Sequence, residues 1–407
     1  MKSKRNNKDI FLMFLSGLTS QVYINLIGRL MLSELLAVFF FPLFNLSTLL
    51  KSYPTLRKVL KGLMFLLLVQ ILSDVYNETE LSNALRGCFV IVFSMISVVF
   101  FVKCFGNEKS VITYLFSLFV IQLLFGKVNL DVSVLEENSN FFKTRFVGFI
   151  NMFLMIVSYY LYKKRLKRIV PLIFIIYSII CLVLDARSNG LIFFISTLFL
   201  VIKNRRIKFN GMKYIVLFII SSVVFYLSYI SYVNKVLSNS IGGSNASIQM
   251  NAMNNPYNPF ELLYMGRKEA FIAFQAILDK PVMGHGSWAE DKEGRYSNMI
   301  NSIAGRNHVV ESEYIPNHSV LLGAWLFSGI LGFFAIVYIF SSLFKVYFKI
   351  FKRYYEYPVF PIITFTTANM MWAVMFSPFG LLRTTFPLFA SLLIVYNEKY
   401  KLSKEYE

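Results

Sequence analysis

The chain has 407 residues, of which 56% are hydrophobic, 17% aromatic and only 15% charged, with a formal net charge of +19. A soluble protein of this length cannot hide so much apolar surface, so an ordinary globular enzyme is excluded and a helical bundle solvated by lipid is expected. Such a positive charge would suggest nucleic acid in a soluble chain, but its sorting along this one argues against a nucleic-acid partner.

Apolar runs predict twelve spans, near 10–27, 30–49, 57–75, 82–102, 110–126, 146–162, 169–184, 188–202, 212–233, 319–341, 358–376 and 381–397. Gly28-Arg29 either separates the first two or interrupts one longer segment. With the N-terminus cytoplasmic, the loops on that side include Lys51 to Lys61, the basic run Lys163 to Arg168, Lys203 to Lys213, and Lys345 to Arg353. That side then holds about two-thirds of the 41 Lys and Arg but only about a quarter of the 22 Asp and Glu, the asymmetry of the positive-inside rule. The first span has a basic flank but no small-residue cleavage site, so it is expected to be retained. Cys88, Cys104 and Cys181 have neither metal-ligand nor disulfide spacing. The expected fold is therefore all-α and polytopic. An N-terminal bundle of about nine helices (1–233) is followed by an external loop (234–317), then a bundle of about three helices and a cytoplasmic tail (318–407).

The external face carries the candidate chemistry. Arg145 sits at the mouth of the sixth span, with Asn151 about two turns deeper. As the structural alternative, Arg145 snorkels to headgroups. Between spans seven and eight, Asp185-Ala186-Arg187-Ser188-Asn189-Gly190 packs an acid and a base into a short hairpin. A guanidinium there needs a partner, either Asp185 or an anionic ligand whose phosphate oxygens match its planar fork.

In the long loop, Asn258-Pro259-Phe260-Glu261 reads as a helix start: an Asn cap, Pro at the first helical position, and Glu placed to return a bond to the cap. The helix is expected to run unbroken to Asp279 and to carry Arg267. Leu263, Ala270, Phe271, Phe274, Ile277 and Leu278 share one face, to lie against the membrane surface or the bundle. Gly284-His285-Gly286 is a turn. Arg295, Arg306 and His308 read as solvated. His318 follows the expected cap Asn317 at the start of span ten, where the helix dipole suits an imidazole to accept a proton.

The chain has no nucleotide-phosphate loop, zinc-protease motif, nucleophile elbow or Asp-x-Asp pair. Arginines, a histidine and a carboxylate remain, a set able to bind a diphosphate and deprotonate a hydroxyl.

Arg145-x-x-Gly148-x-x-Asn151 resembles the Arg/Gly/Asn stretch of the bacterial O-antigen and capsular polysaccharide polymerases, a family related to the O-antigen ligases. Arg187-Ser188-Asn189-Gly190 is similar to that family's Ser/Arg/Gly hairpin with the order altered. Arg267 with Phe271, Ala276, Pro281 and Gly284-x-Gly286 resembles its loop helix. Asn317-His318-Ser319 with Gly329-Ile330-Leu331-Gly332 resembles its re-entry helix; ligases more often show His-Asn there. The resemblance covers residues 145–343.

It implies a glycosyltransferase of the plasma membrane, with its active face external. A growing glycan would pass from a polyprenyl-diphosphate carrier to a lipid-linked repeat unit. His318 would be the catalytic base, while Arg187, Arg267 and Arg145 hold the diphosphate and Asp185, His285 and Asn317 support them. The transfer would be inverting, without a metal or cofactor. Partners would be the lipid-linked repeat units, the membrane, a chain-length regulator and a flippase. A ligase using the same donor is the nearest alternative, and a flippase or transporter is the alternative from another class. Transporters favour repeat symmetry and helices broken near the midplane, and neither is legible in the sequence.

Overall fold

The computed structural model describes residues 2–26, 28–126, 141–204, 229–238, 253–304 and 313–405, with isolated positions between 223 and 251. Among them the chain is almost wholly helical. Five helices are long and apolar enough to cross a membrane, and a sixth candidate is a bent pair. This is the architecture of a helical membrane protein.

Helix α1 (Lys2–Thr19) ends well before the expected boundary at residue 27. An antiparallel hairpin follows, β1 (Tyr23–Leu26) and β2 (Gly28–Met31), with Tyr23 opposite Met31. Gly28 has φ +93°, a conformation that glycine adopts without Cβ strain, so the chain turns there. The second expected span is also interrupted. Helix α2 (Leu32–Phe40) runs into a 3-10 turn at Pro42, and α3 (Leu46–Ser52) restarts after a 94° bend. Proline cannot donate to the helical ladder, and Asn45 caps the new helix by accepting from Thr48 N at 3.1 Å.

The next six helices fall close to their predicted positions: α4 (Pro54–Tyr76), α5 (Leu81–Cys104), α6 (Glu108–Phe125), α7 (Val147–Lys163), α8 (Ile169–Val183) and α9 (Arg187–Asn204). The expected ninth span, 212–233, lies largely outside the described residues. Three short helices lie in the loop: α10 (Pro259–Gly266), α11 (Lys268–Asp279) and α12 (Arg295–Ala304). The chain closes with α13 (Val320–Arg353), α14 (Phe360–Phe376) and α15 (Thr385–Glu405). From Phe386 to Tyr396 the last helix is buried almost all round, as its evenly apolar sequence requires. At the end away from the loop, Lys167 pairs with Glu356 at 2.9 Å, and Lys203 donates to the Lys352 carbonyl at 3.0 Å.

Helix α13 is broken at Gly329 (φ +65°, ψ −167°). The break is filled by backbone from the loop. His285 N donates to the Leu326 carbonyl at 2.7 Å, Gly286 N to that of Phe327 at 3.1 Å, and Ile330 N returns a bond to Pro281 O at 3.1 Å. Helix α4 closes the joint with polar side chains. Gln70 donates to Ser287 Oγ (2.7 Å) and accepts from Ser328 Oγ (2.5 Å), while Asp74 accepts from Ser287 N and Oγ at 2.6 and 2.8 Å. A Cβ on Gly329 would collide with the Val282 carbonyl.

Gly329→Ala should therefore lower stability by at least about 2 kcal/mol, from positive φ plus displaced loop backbone. Gly106→Ala, where a Cβ meets nothing within 4 Å, should stay within about 0.5 kcal/mol. Thermal unfolding in detergent checks the pair, and equal midpoints would refute the reading of the joint.

Candidate functional site

Asp185 takes a left-handed conformation (φ +57°), which a short polar residue tolerates, and this lets α9 start immediately after α8. The two helices pack closely at Gly190, whose carbonyl accepts from Ser178 Oγ at 2.7 Å. On the first turn of α9, Asn189 exchanges amide bonds with Asn151 of α7 at 2.8 and 3.2 Å. Asn151 thus ties the Arg145 helix to the Arg187 hairpin. Arg187 Nε lies 3.2 Å from Asp185 Oδ1, so the carboxylate is its partner. The same arginine faces the Tyr232 hydroxyl and stands within electrostatic range of Arg267.

Arg267 does not ride inside one loop helix as the sequence suggested. It occupies the break between α10 and α11, at φ −140° and ψ 29°. The interruption has a packing cause. Leu262 and Met265 of α10 pack on a small core formed by Tyr229, Val233, Val236, Ala246, Met250 and Met253. Ile272, Ala276 and Ile277 of α11 are buried in the main bundle, and one straight helix cannot serve both. The cap is as expected, since Asn258 Oδ1 accepts from Phe260 N at 3.0 Å. Glu261 instead reaches upstream, accepting from Asn254 N at 2.6 Å and Asn255 N at 3.1 Å.

The Arg267 guanidinium lies 4.9 Å from the Trp372 ring centroid and 5.3 Å from that of Phe376, both on the last turns of α14. Among the described residues its N–H groups make no hydrogen bond. Burial lowers its pKa from the ordinary arginine value; Glu269 opposes the shift and Arg187 adds to it. A guanidinium held over two rings by cation–π contact keeps its N–H donors available for an oxygen acceptor.

His318 directly precedes Ser319, and it is Ser319 that docks on the last turns of α14. The helix cap is Ser319 and not Asn317: Ser319 Oγ accepts from Leu322 N at 3.1 Å and donates to the Val374 carbonyl at 3.0 Å. Asn317 accepts from Ser319 N at 3.1 Å and fixes the approach. His318 Nδ1 is buried and has no hydrogen-bond partner among the described residues. Burying an unsatisfied ring nitrogen costs about 1–3 kcal/mol, so its presence needs a reason.

Other candidates stand apart from this cluster. Arg145, in the π-turn Phe142–Phe146, donates to the Leu124 carbonyl at 3.3 Å. His285 holds the loop, with Nε2 2.7 Å from the Ala276 carbonyl at the end of α11. Arg295 pairs with Asp279 at 3.2 Å, beyond simple solvation. Arg306 and His308 lie outside the described residues. Sequence reasoning missed the aromatic floor of Trp372 and Phe376, and Tyr232. It also passed over Glu34 with Arg383, a nearly buried pair at 2.7 Å tying α2 to the turn before α15. The signals were a Trp four residues before a Phe at a span end, and a carboxylate inside an apolar run.

Compared with known proteins, the chain matches no protein-family profile and no curated protein.

Burial lowers the His285 pKa below its ordinary 6.5, with the Ala276 bond opposing, Lys280 adding to the shift and Asp279 opposing it. Above pH 6.5 the ring is neutral whether the loop is docked or unfolded. Below it, the unfolded segment takes up a proton that the docked loop resists, so docking weakens toward acid. Protease resistance of the loop should fall between about pH 7.5 and about pH 5.5. His285→Gln, which still donates to Ala276, should flatten that dependence, and an unchanged profile would remove His285 from the account.

Proposed function

We propose that the chain is a polysaccharide polymerase of the bacterial plasma membrane. It would transfer a growing glycan from a polyprenyl-diphosphate carrier to a lipid-linked repeat unit at the outer face. In this reading the twelve-span topology holds, with both termini cytoplasmic and the loop external. One observation carries the proposal: two arginines and a histidine with an unpartnered nitrogen converge on one end of the bundle. Arg267 has unspent donors there, Arg187 stands close by, and His318 adjoins the serine that docks on Val374.

The chemistry follows from this placement. As the bond from the donor sugar C1 to the diphosphate oxygen breaks, the electron pair leaves with the diphosphate. Arg267 and Arg187 receive that charge in a partly desolvated setting, where charge-assisted bonds are strong. With the ring proton on Nε2, His318 Nδ1 offers its lone pair to the proton of the acceptor hydroxyl, whose oxygen forms the new bond to C1. Attack opposite the leaving group inverts the centre and needs no covalent glycosyl-enzyme. Arg145, in the turn that leads into α7, would meet the diphosphate or glycan as it enters. Asp185 orients Arg187, and Asn317 orients His318. The partners are lipid-linked repeat units, with a flippase upstream and a chain-length regulator acting beside the polymerase.

The test is the glycan profile of deleted cells complemented with variants. His318→Ala should reduce polymer by about a hundredfold or more while the protein still accumulates in the membrane. Single repeat units should still reach their final acceptor. Wild-type chain length in that variant would refute the base assignment. Full-length polymer held on the lipid carrier would mean a ligase, and repeat units trapped on the cytoplasmic leaflet a flippase. Arg187→Lys should also fail, because a point charge cannot replace the bidentate fork. Normal polymer there would leave Arg187 with its Asp185 bond alone.

A further inference from the structure

The exposed face of the loop helices is apolar, and its surroundings identify what covers it. On α11, Phe271, Phe274 and Leu278 point away from the protein, while Ile272, Ala273, Ala276 and Ile277 are buried against the bundle. At 100° per residue, Lys268, Gln275 and Asp279 form a polar strip between these two faces. The helix thus meets three environments: the bundle, a polar border that includes the Asp279 contacts to Arg295 and Tyr296, and a third that is apolar. The stripe crosses the break at Arg267 through the Tyr264–Phe271 ring contact (centroids 4.8 Å apart) and continues to Phe260, which is 79% exposed.

Its other end joins the flank of a spanning helix. Exposed Val282 follows Pro281, and Ile330 N of α13 donates to both carbonyls, at 3.1 Å to Pro281 and 3.3 Å to Val282. Leu331 and Phe334, next along α13, are exposed apolar residues as well. No charged side chain lies on α13 before Lys345. Counting about 20 residues back from Lys345, the length that crosses a hydrocarbon core, reaches Trp325. The Trp325 indole donates to the Pro281 carbonyl at 2.9 Å. The end of α11 is therefore tied to α13 at the boundary of the hydrocarbon.

We infer that α10 and α11 are a membrane-interface element, with Phe260, Tyr264, Phe271, Phe274, Leu278 and Val282 seated in the lipid of the leaflet next to the loop. The occupant is bilayer lipid, because the stripe continues the lipid-facing flank of α13 and has a polar border of the kind interfacial helices carry. The arrangement holds Arg267, in the break between the two helices, at headgroup depth. A phosphate on an amphiphile can then reach it sideways from the bilayer. The docking itself does not depend on the glycan chemistry proposed above.

Depth measurements on the full chain test this directly. Single cysteines at Phe271, Phe274 and Gln275 are labelled with an environment-sensitive fluorophore, with unsubstituted protein as the blank. The labelled protein is reconstituted into phosphatidylethanolamine/phosphatidylglycerol vesicles containing lipids spin-labelled near the headgroup. Labels at 271 and 274 should be quenched several-fold more by the nitroxide lipid than by aqueous iodide, and the label at 275 the reverse. Equal behaviour at all three positions would overturn the inference. So would protection from both quenchers together with disulfide cross-linking between Phe274→Cys copies, which would make the occupant a second chain.

Discussion

The structure depends on satisfying the backbone of one interrupted helix. In hydrocarbon there is no water to bond a freed carbonyl, so a break in a spanning helix persists only where protein supplies the partners. At Gly329 the partners come from Pro281 to Gly286, whose N–H groups and carbonyls exchange bonds with Leu326, Phe327 and Ile330. This stretch of the loop is therefore a fixed roof built into the bundle. Ser73, whose hydroxyl lies 2.6 Å from both the Met283 and Phe327 carbonyls and shares its one proton between them, and Asn77, donating to Gly284 O at 3.1 Å, lock it from the α4 side.

From that joint, the position of the arginine follows. The joint fixes the C-terminal end of α11, and burial of Ile272, Ala276 and Ile277 fixes its roll. The small separate core holds α10 at another angle. Arg267 is the residue left where two packing demands disagree, and its unfavourable desolvation is offset by the faces of Trp372 and Phe376. A second guanidinium, Arg187, stands close enough to make Arg267 harder to protonate, although Asp185 and Glu269 moderate the field. Like charges gathered in a partly dry setting are costly, and Asp185 and Glu269 are the counter-charges that the protein itself provides.

What the sequence made legible was periodic or chemically marked. Runs of apolar residues placed α4 to α9 and α14 to within a few residues, and the starts of α13 and α15, whose C-terminal ends run on well past the expected spans; Asn258-Pro259 marked the start of α10 correctly. Arg187 and His318 stood out because charged or ionisable groups at span ends are expensive, and Arg267 because it lies on the loop segment that follows Asn258-Pro259. The first two spans were misread because hydropathy does not register a hairpin turned by Gly28 or a helix stopped at Pro42. The break at Arg267 was hidden because its cause is tertiary: Leu262 and Ile272 belong to different cores, and nothing local to Gly266-Arg267 separates them. Asn317 was taken for the cap because both it and Ser319 are good cap residues. The choice was made by Val374, whose carbonyl draws Ser319 onto α14.

The Gly329 break also bears on the rival reading as a transporter. Discontinuous helices in transporters leave half-helix ends open to an ion or substrate, and a broken spanning helix was not anticipated from the sequence. Here the ends are occupied by the protein's own loop. Leu326 and Phe327 have given their carbonyls to His285 and Gly286, and Ile330 N is taken by Pro281 and Val282. A Cβ at Gly284 would strike Gly329 N, so there is no room for a ligand between the segments. Among the described residues, the site groups without a protein hydrogen bond lie elsewhere, in the Arg267 guanidinium and the buried Nδ1 of His318. A break sealed by the loop's own backbone leaves no half-helix end for an ion or a substrate, the opposite of the transporter arrangement.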